Sequence, residues 1–369
     1  MRKTIFVLLS VFLIASQRNS QTNPNPFNGF TATAWPQADR LFRSNPLWLG
    51  GDASYSVDLG SGRVLWLFGD SFIATAPGAT RRQSTFVHNS IAIEDGYDPA
   101  QASMTFYWPM KDGKPTEFAP NEGSVWLWPD DGIRIGNRLL LFFSRVRSDN
   151  SKNSLGFRSA GWTAFIVDNP DSKPSSWILH RANARPNKFH IDFGEGVERL
   201  GDFVYAFGSP EGSRPGDFLA RWPLRAAEAG NLSSPEWWCG AKNGWLVQER
   251  MHNQAPAVAL PSASSEFAIQ WRPRLQKFIE VESVGFGASD IGMRWADRLE
   301  GPWSKPMKIY HPPESNRPDA FVYAGKLHPG LVGADVVITY AANSSSDGIL
   351  VKDMSIYFPR FVRLNFAKP

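Results

Sequence analysis

Short apolar runs recur along the chain, each closed by a small or polar residue. They are VLWLFGDS from Val64, LLLFFSR from Leu139, FVYAFGS from Phe203, FAIQWR from Phe267 and VVITYAAN from Val336. Each is rich in β-branched or aromatic residues and has the length of a strand rather than a helix. Their starts are spaced by 64 to 75 residues. Five near-equal units, each long enough for a four-stranded sheet, predict radial repetition of sheets: an all-β chain folded as a five-bladed β-propeller. The competing arrangement, two β-sandwich domains, finds no Pro/Gly/Ser-rich linker between halves.

Other runs fill the remaining strands. HNSIAIEDG (88–96) belongs to the first unit, GWTAFIVDNP (161–170) to the second and DFLARWPL (217–224) to the third. KFIEVESV (277–284) and IGMRWAD (291–297) serve the fourth. RFVRLNF (360–366) is read as closing the ring against an early blade. Only LRAAEAGN (224–231) reads as helix, and it is barely two turns long. The propeller is assigned to residues 47–369, preceded by an extension over 21–46.

The stretch GGDASYSVDLGSGRVLWLFGDSFI (50–73) is two strands around a Gly-containing turn, with Asp52 before the first and Asp70 after the second. Asp and Gly make turns, so these acids have a purely local reading. The same pattern returns, however. Glu122 precedes GSVWLWP, Glu195 precedes GVERL, and the fifth unit offers Lys326 and His328 in YAGKLHP. For the fourth unit, HNQAPAVAL offers Asn253 and Gln254.

Composition sharpens this picture in three places. The 15 Trp, 26 Phe, 31 Gly and 28 Pro fit aromatic strands punctuated by turns. The net charge of +4 is scattered, with no basic helix or stripe of the kind nucleic acid requires. Cys239 is the single cysteine, so no internal disulfide forms, and its setting after two Trp suits a small buried residue. At the start, Arg2 and Lys3 precede the apolar run TIFVLLSVFLIA (4–15) and then a polar stretch. That is the pattern of a signal peptide over 1–20, and it places the mature chain in the periplasm or outside the cell, with no membrane association after signal removal. An uncleaved anchor is the alternative.

Several motifs occur together in order: GGDASYSVDLGSGRVLWLFGDSF, HNSIAI, VDNPDSKPSSW, LARWPL, EGPWSKPMKIY, YAGKLHPGL, VITYAANS and YFPRFVRLNF. They resemble a bacterial family of secreted five-bladed propellers catalogued as a domain of unknown function. Some members of that family are endo-D-arabinanases, and its fold is similar to that of other five-bladed glycoside hydrolases. The resemblance runs from about Trp48 to Phe366. Two positions depart from it: Gly330 stands where an acid is expected in an HPEL-like motif, and Ser71 replaces a Thr. The resemblance implies hydrolysis of a polysaccharide, with arabinan one possible substrate.

Glycoside hydrolysis needs two carboxylates flanking the scissile bond, one protonated and one ionised, and a third carboxylate can tune the acid. Asp52 is the favoured base or nucleophile, because two preceding glycines allow a tight turn and close approach. Glu195, between two glycines, and Glu122 compete for the role of acid. Asp192 and Glu198 are assigned to the surface or to strand turns. Asp70, Arg145, Lys326 and His328 are candidate substrate contacts. Trp126 and Trp128, two apart on one strand face, are the best stacking candidates among a set that also holds Trp162, Trp245 and Trp271. No nucleotide-binding glycine motif appears, and no His/Cys pair at ligand spacing, so no cofactor is expected; an ion in the channel is left open. The expected partner of this chain, read as a monomer, is a polysaccharide or oligosaccharide, and the alternatives are a non-catalytic carbohydrate-binding propeller and an adhesive one.

Overall fold

Strands whose apolar residues run without alternation must bury both faces. Leu139–Phe143 and Val64–Phe68 are such runs, and every residue in them is buried. The computed structural model describes residues 25–151, 156–210, 216–285 and 289–367. The proposed signal peptide lies outside them. Among the described residues, the chain is all-β apart from short helical turns. Its strands form five antiparallel sheets of four or more strands and two small ones.

The first sheet holds Tyr55–Gly60, Arg63–Phe68, Ser90–Asp95 and Ser103–Tyr107. The second holds Trp126–Ile135, Arg138–Ser148, Phe157–Val167 and Leu179–Arg181. The third runs Ile191–Leu200, Phe203–Pro210, Gly216–Pro223 and then shorter strands. The fourth is Phe267–Arg272, Lys277–Val284, Asp290–Ala296 and Met307–Tyr310. The fifth holds Phe321–Leu327, Val336–Asn343, Arg360–Phe366 and Phe30–Ala34. From the first sheet to the fifth, the first strands in this order lie side by side, each next to its counterpart in the neighbouring sheet, and are the inner strands.

Five apolar clusters fill the spaces between consecutive sheets. Leu67 meets Leu141 between the first and second, and Phe142 meets Phe193 between the second and third. Phe207 meets Phe267 between the third and fourth, and Val281 meets Val322 between the fourth and fifth. Trp66 meets Phe361 between the fifth and the first, which brings the succession back to its start. Face-to-face sheet packing on this scale supplies the stability that a chain without disulfides needs.

Three strand assignments shift. The apolar runs beginning at Val64, Leu139, Phe203 and Val336 are second strands, but FAIQWR is the innermost strand of the fourth sheet. The true fourth counterpart of the repeat is Lys277–Val284. Similar apolar content on adjacent strands hid that slip. The run in HNQAPAVAL belongs to the third sheet, where Val258–Pro261 pairs with Gly216–Pro223. The C-terminal strand does not close on an early blade. It sits in its own sheet, and Phe30–Ala34 from the segment read as an extension pairs outside it, Phe30 opposite Phe366.

Arg81 ties this closure together. Its guanidinium is buried and donates to the carbonyls of Leu49 (2.8 Å), Leu350 (2.7 Å), Asp353 (3.0 Å) and Ile356 (2.7 Å). An ammonium cannot reproduce that fork. Arg81→Lys is therefore expected to cost about 3 kcal/mol, the scale of losing charged hydrogen bonds and stranding buried acceptors, read as a lower urea midpoint.

Candidate active site

Asp52 lies between the short strand Trp48–Gly51 and the inner strand of the first sheet. Ala53 and Ser54 follow it in the left-handed backbone region, with φ of 59° and 55°. This kink starts the strand late and leaves the Asp52 side chain free to turn inward. Gly69 passes so close that a Cβ there would stand 2.5 Å from Asp52 Oδ1. Tyr323 donates its hydroxyl to Asp52 Oδ2. The Tyr357 hydroxyl lies 3.2 Å from the same oxygen and 3.1 Å from the Asp70 carbonyl, one proton for two acceptors. Burial, and then the Asp70 carboxylate, push the Asp52 carboxyl up to about 8; the Tyr323 hydrogen bond pulls it back and Glu266 adds to the rise.

The inner strands of the second and third sheets carry their acids in ladder irregularities. The register breaks between Pro129 and Gly132, and Asp130 and Asp131 occupy the break. It breaks again on both sides of Glu195. Bulges of this kind re-aim side chains. Asp130 accepts from Ser144 Oγ at 3.0 Å, and burial is the main cause that raises its carboxyl to about 8. Gly194 sits against it: a Cβ there would lie 2.6 Å from Asp130 Oδ2, so Asp130 stands beside the residue that precedes Glu195. Asp131 is stitched between strands by the amides of Gly132 (2.8 Å) and Val197 (2.9 Å). Glu198 is half-buried within the inner strand Ile191–Leu200, and burial and then Asp131 raise its carboxyl to about 8, so it is neither a surface nor a turn residue.

Tyr55 reports the convergence. Burial and then the fields of Glu266, Glu195, Asp130 and Asp131 drive its phenol well above the ordinary value. Acids from the second, third and fourth sheets thus face one residue of the first. Lys326, from the fifth, places its ammonium 4.2 Å from the Tyr55 ring centroid and bonds Glu266 (2.9 Å) and the Ala53 carbonyl (2.6 Å). Lys326 is fully buried, so it balances the acids and is not placed to meet a ligand.

Two further candidates change role. Glu122 is held by Arg145 (2.8 Å) and Arg181. Burial acts upward on it, but the two guanidiniums outweigh burial and keep Glu122 below its ordinary value, which suits an ionised clasp and not a proton donor. Arg145 is accordingly spent on a protein acid. His328 is fully buried, with Nδ1 2.8 Å from Ser56 Oγ and Nε2 2.7 Å from Thr339 Oγ1, so it joins the first and fifth sheets and cannot touch substrate. The Gly330 departure also loses its weight. Its neighbour is Asp58, toward the other end of the strand that Asp52 precedes, and its φ of +83° favours glycine.

Asp70 accepts from His88 Nδ1 (2.9 Å) and Trp128 Nε1 (2.8 Å). Trp126 stacks on the His88 ring at 4.8 Å. Together these form a half-buried aromatic wall beside Asp52. By contrast Trp162, Trp245 and Trp271 pack on Phe142, Tyr205 and Phe278 inside the sheets. Cys239 is buried, as expected.

Sequence reasoning missed Asp130, Asp131, Glu266, His88 and the two tyrosines. Glu266 had a usable signal, since it immediately precedes FAIQWR as Asp52 precedes its own strand; only the slipped phase of the fourth unit concealed it. Among the described residues, no group of three or more His, Cys, Asp or Glu side chains is arranged to hold a metal ion.

Fold and site define an all-β protein with carboxyls from three successive sheets gathered around Tyr55 of the first. The chain belongs to the family described as Domain of unknown function (DUF5005), which matches residues 37–366. A search of the curated proteins finds no match. Among solved structures, a candidate hydrolase from Bacteroides ovatus aligns at a TM-score of 0.71 with 16% identity, covering 91% of this chain and 90% of that one. An α-L-arabinofuranosidase from Podospora anserina aligns at 0.48 with 11% identity, covering 87% and 92%. An exo-β-1,3-galactanase from Phanerochaete chrysosporium also aligns at 0.48 with 11% identity, covering 86% and 63%. The first of these shows a shared fold.

Proposed function

We propose that the five large sheets are the blades of a five-bladed β-propeller and that the protein is a glycoside hydrolase. It acts on a polysaccharide outside the cytoplasm, as the signal-like N-terminus suggests. The observation that carries this reading is the gathering of Asp130, Asp131, Glu195 and Glu266, on or just before the inner strands of three sheets, around Tyr55 of a fourth, with Asp52 near Glu266. Structural turn acids have no reason to converge, whereas cleavage of a glycosidic bond requires it.

In this reading Asp52 is the base or nucleophile and Glu195 the acid that protonates the leaving oxygen. Asp130, held by Ser144 and lying against Gly194, lines the site next to Glu195. Lys326 offsets the remaining charge. Trp126, Trp128 and His88 present ring faces on which a sugar can stack. Arabinan is the polymer to try first, on the strength of the sequence resemblance.

The direct experiment is a product screen of the purified protein on cell-wall and plant polysaccharides, read by chromatography. Oligosaccharides released from one polymer class support the proposal. Tight binding of a polysaccharide with no product from any would make the protein a carbohydrate-binding propeller instead.

A further inference from the structure

The two oxygens of Asp52 have different surroundings. Oδ2 accepts the Tyr323 hydroxyl and lies 3.2 Å from the Tyr357 hydroxyl. Asp52 is half-buried, and its Oδ1 takes no hydrogen bond from the described residues. Gly69 lies against Oδ1 with no side chain to cover it, since a Cβ there would stand 2.5 Å away.

The direction of the Tyr323 bond is fixed by its neighbour. Asn343 Oδ1 accepts from the Ser344 amide at 2.7 Å, which turns Asn343 Nδ2 toward the Tyr323 hydroxyl at 3.3 Å. An amide nitrogen only donates, so the phenol proton goes to Asp52. Burial, and then Asp52 itself, hold both phenols well above the ordinary tyrosine value, so both keep a proton to give. Tyr357 is fastened for this contact. Its φ of 64° lies in the left-handed region, a costly conformation that persists only where the surroundings impose it. Its amide donates to the Ala342 carbonyl at 2.8 Å, and its carbonyl accepts from Gly51 at 3.0 Å. A Cβ at Gly50 would stand 2.2 Å from that carbonyl, so the first of the two glycines before Asp52 makes room for Tyr357. The other ionisable groups around Asp52 are Asp70 and Glu266, which favour its proton, with His88 bonded to Asp70 and Lys326 to Glu266. The tyrosines act in the opposite sense, because a hydroxyl given to a carboxylate favours its charge.

We propose that Tyr323 and Tyr357 are positioning residues that grip Oδ2 and leave Oδ1 as the oxygen Asp52 presents to a bound glycan. This rests on the glycan-cleaving reading above, but its test is read on the free protein, so the two can fail separately. Protein labelled at aspartate Cγ with the NMR-active carbon isotope would be titrated with pH, the Asp52 signal being assigned from its loss in Asp52→Asn. Tyr323→Phe should raise the Asp52 midpoint by about one pH unit, the scale of one hydrogen bond given to a charge. Tyr357→Phe should raise it by less, because that proton is shared with the Asp70 carbonyl. Gly69→Ala sets a methyl against Oδ1 and strips water from it, so it should raise the midpoint as well. Tyr340→Phe, which removes the hydroxyl that Glu314 accepts, should leave it in place. On a polysaccharide that the wild type cleaves, the rising limb of kcat/KM should move with the midpoint. An unchanged midpoint in Tyr323→Phe or in Gly69→Ala, or an equal shift in Tyr340→Phe, would overturn the assignment. Absence of product from every polysaccharide with these shifts intact would sink the hydrolase reading alone.

Discussion

Asp52→Asn is expected to lower kcat by about 10³-fold on whichever polysaccharide the wild-type protein cleaves, the scale of losing a positioned base or nucleophile. Substrate binding and the fold should survive, because Asn keeps the shape of the side chain and the Tyr323 hydroxyl can still donate to its oxygen. The pH profile makes the assignment sharper. Burial and the neighbouring Asp70 hold the Asp52 proton up to about pH 8. If Asp52 acts as base, kcat/KM must rise with pH as that proton leaves. If Asp52 were instead the proton donor, the rate would fall through the same range. A falling limb, or an Asp52→Asn variant with ordinary turnover, would remove Asp52 from the role given to it here.

Much of the fold was written in local pattern. Runs such as Leu139–Phe143 are apolar on both faces because a sheet lies on each side of them, and that is visible without coordinates. Asp52 and Glu195 drew attention through their glycines, two before Asp52 and one on each side of Glu195, but Glu195 sits in the middle of its strand and not before it. What failed was what depends on register and distance. Asp130 and Asp131 interrupt an aromatic strand at a bulge, and a bulge has no signature in hydrophobic alternation. The second-unit acid was therefore placed at Glu122, eight residues too early, where two arginines turn out to clasp it. Tyr323 and Tyr357 reach Asp52 from some 270 and 305 positions along the chain, respectively. No spacing within a motif encodes such a contact. The strand Phe30–Ala34 was missed for the same reason, since its partner Arg360–Phe366 lies at the other end of the sequence.

The acid cluster also predicts how stability depends on pH. Asp52, Asp130 and Glu198 each hold a proton up to about 8, burial being the largest cause in every case. In the unfolded chain such carboxyls ionise near 4. Between these values the native state binds more protons than the unfolded one, so unfolding becomes easier as pH rises. Buried His328 works in the opposite sense, because burial and then Lys326 hold it well below its ordinary value; its contribution is complete above about pH 6.5. From pH 6.5 to 8 the acids therefore act without that opposition. A single fully enclosed carboxyl would remove at most about 2 kcal/mol over this interval, and mutual repulsion spreads the three titrations beyond it. The free protein should accordingly show a lower urea midpoint at pH 8 than at pH 6.5. Asp130→Asn should lessen that difference and be the more stable form at pH 8, since it deletes one charge that must otherwise be buried. A midpoint that rises between pH 6.5 and 8, or an Asp130→Asn variant with an unchanged slope, would mean that water reaches these carboxyls freely. The site would then lack the enclosed acids on which proton transfer to a leaving sugar depends.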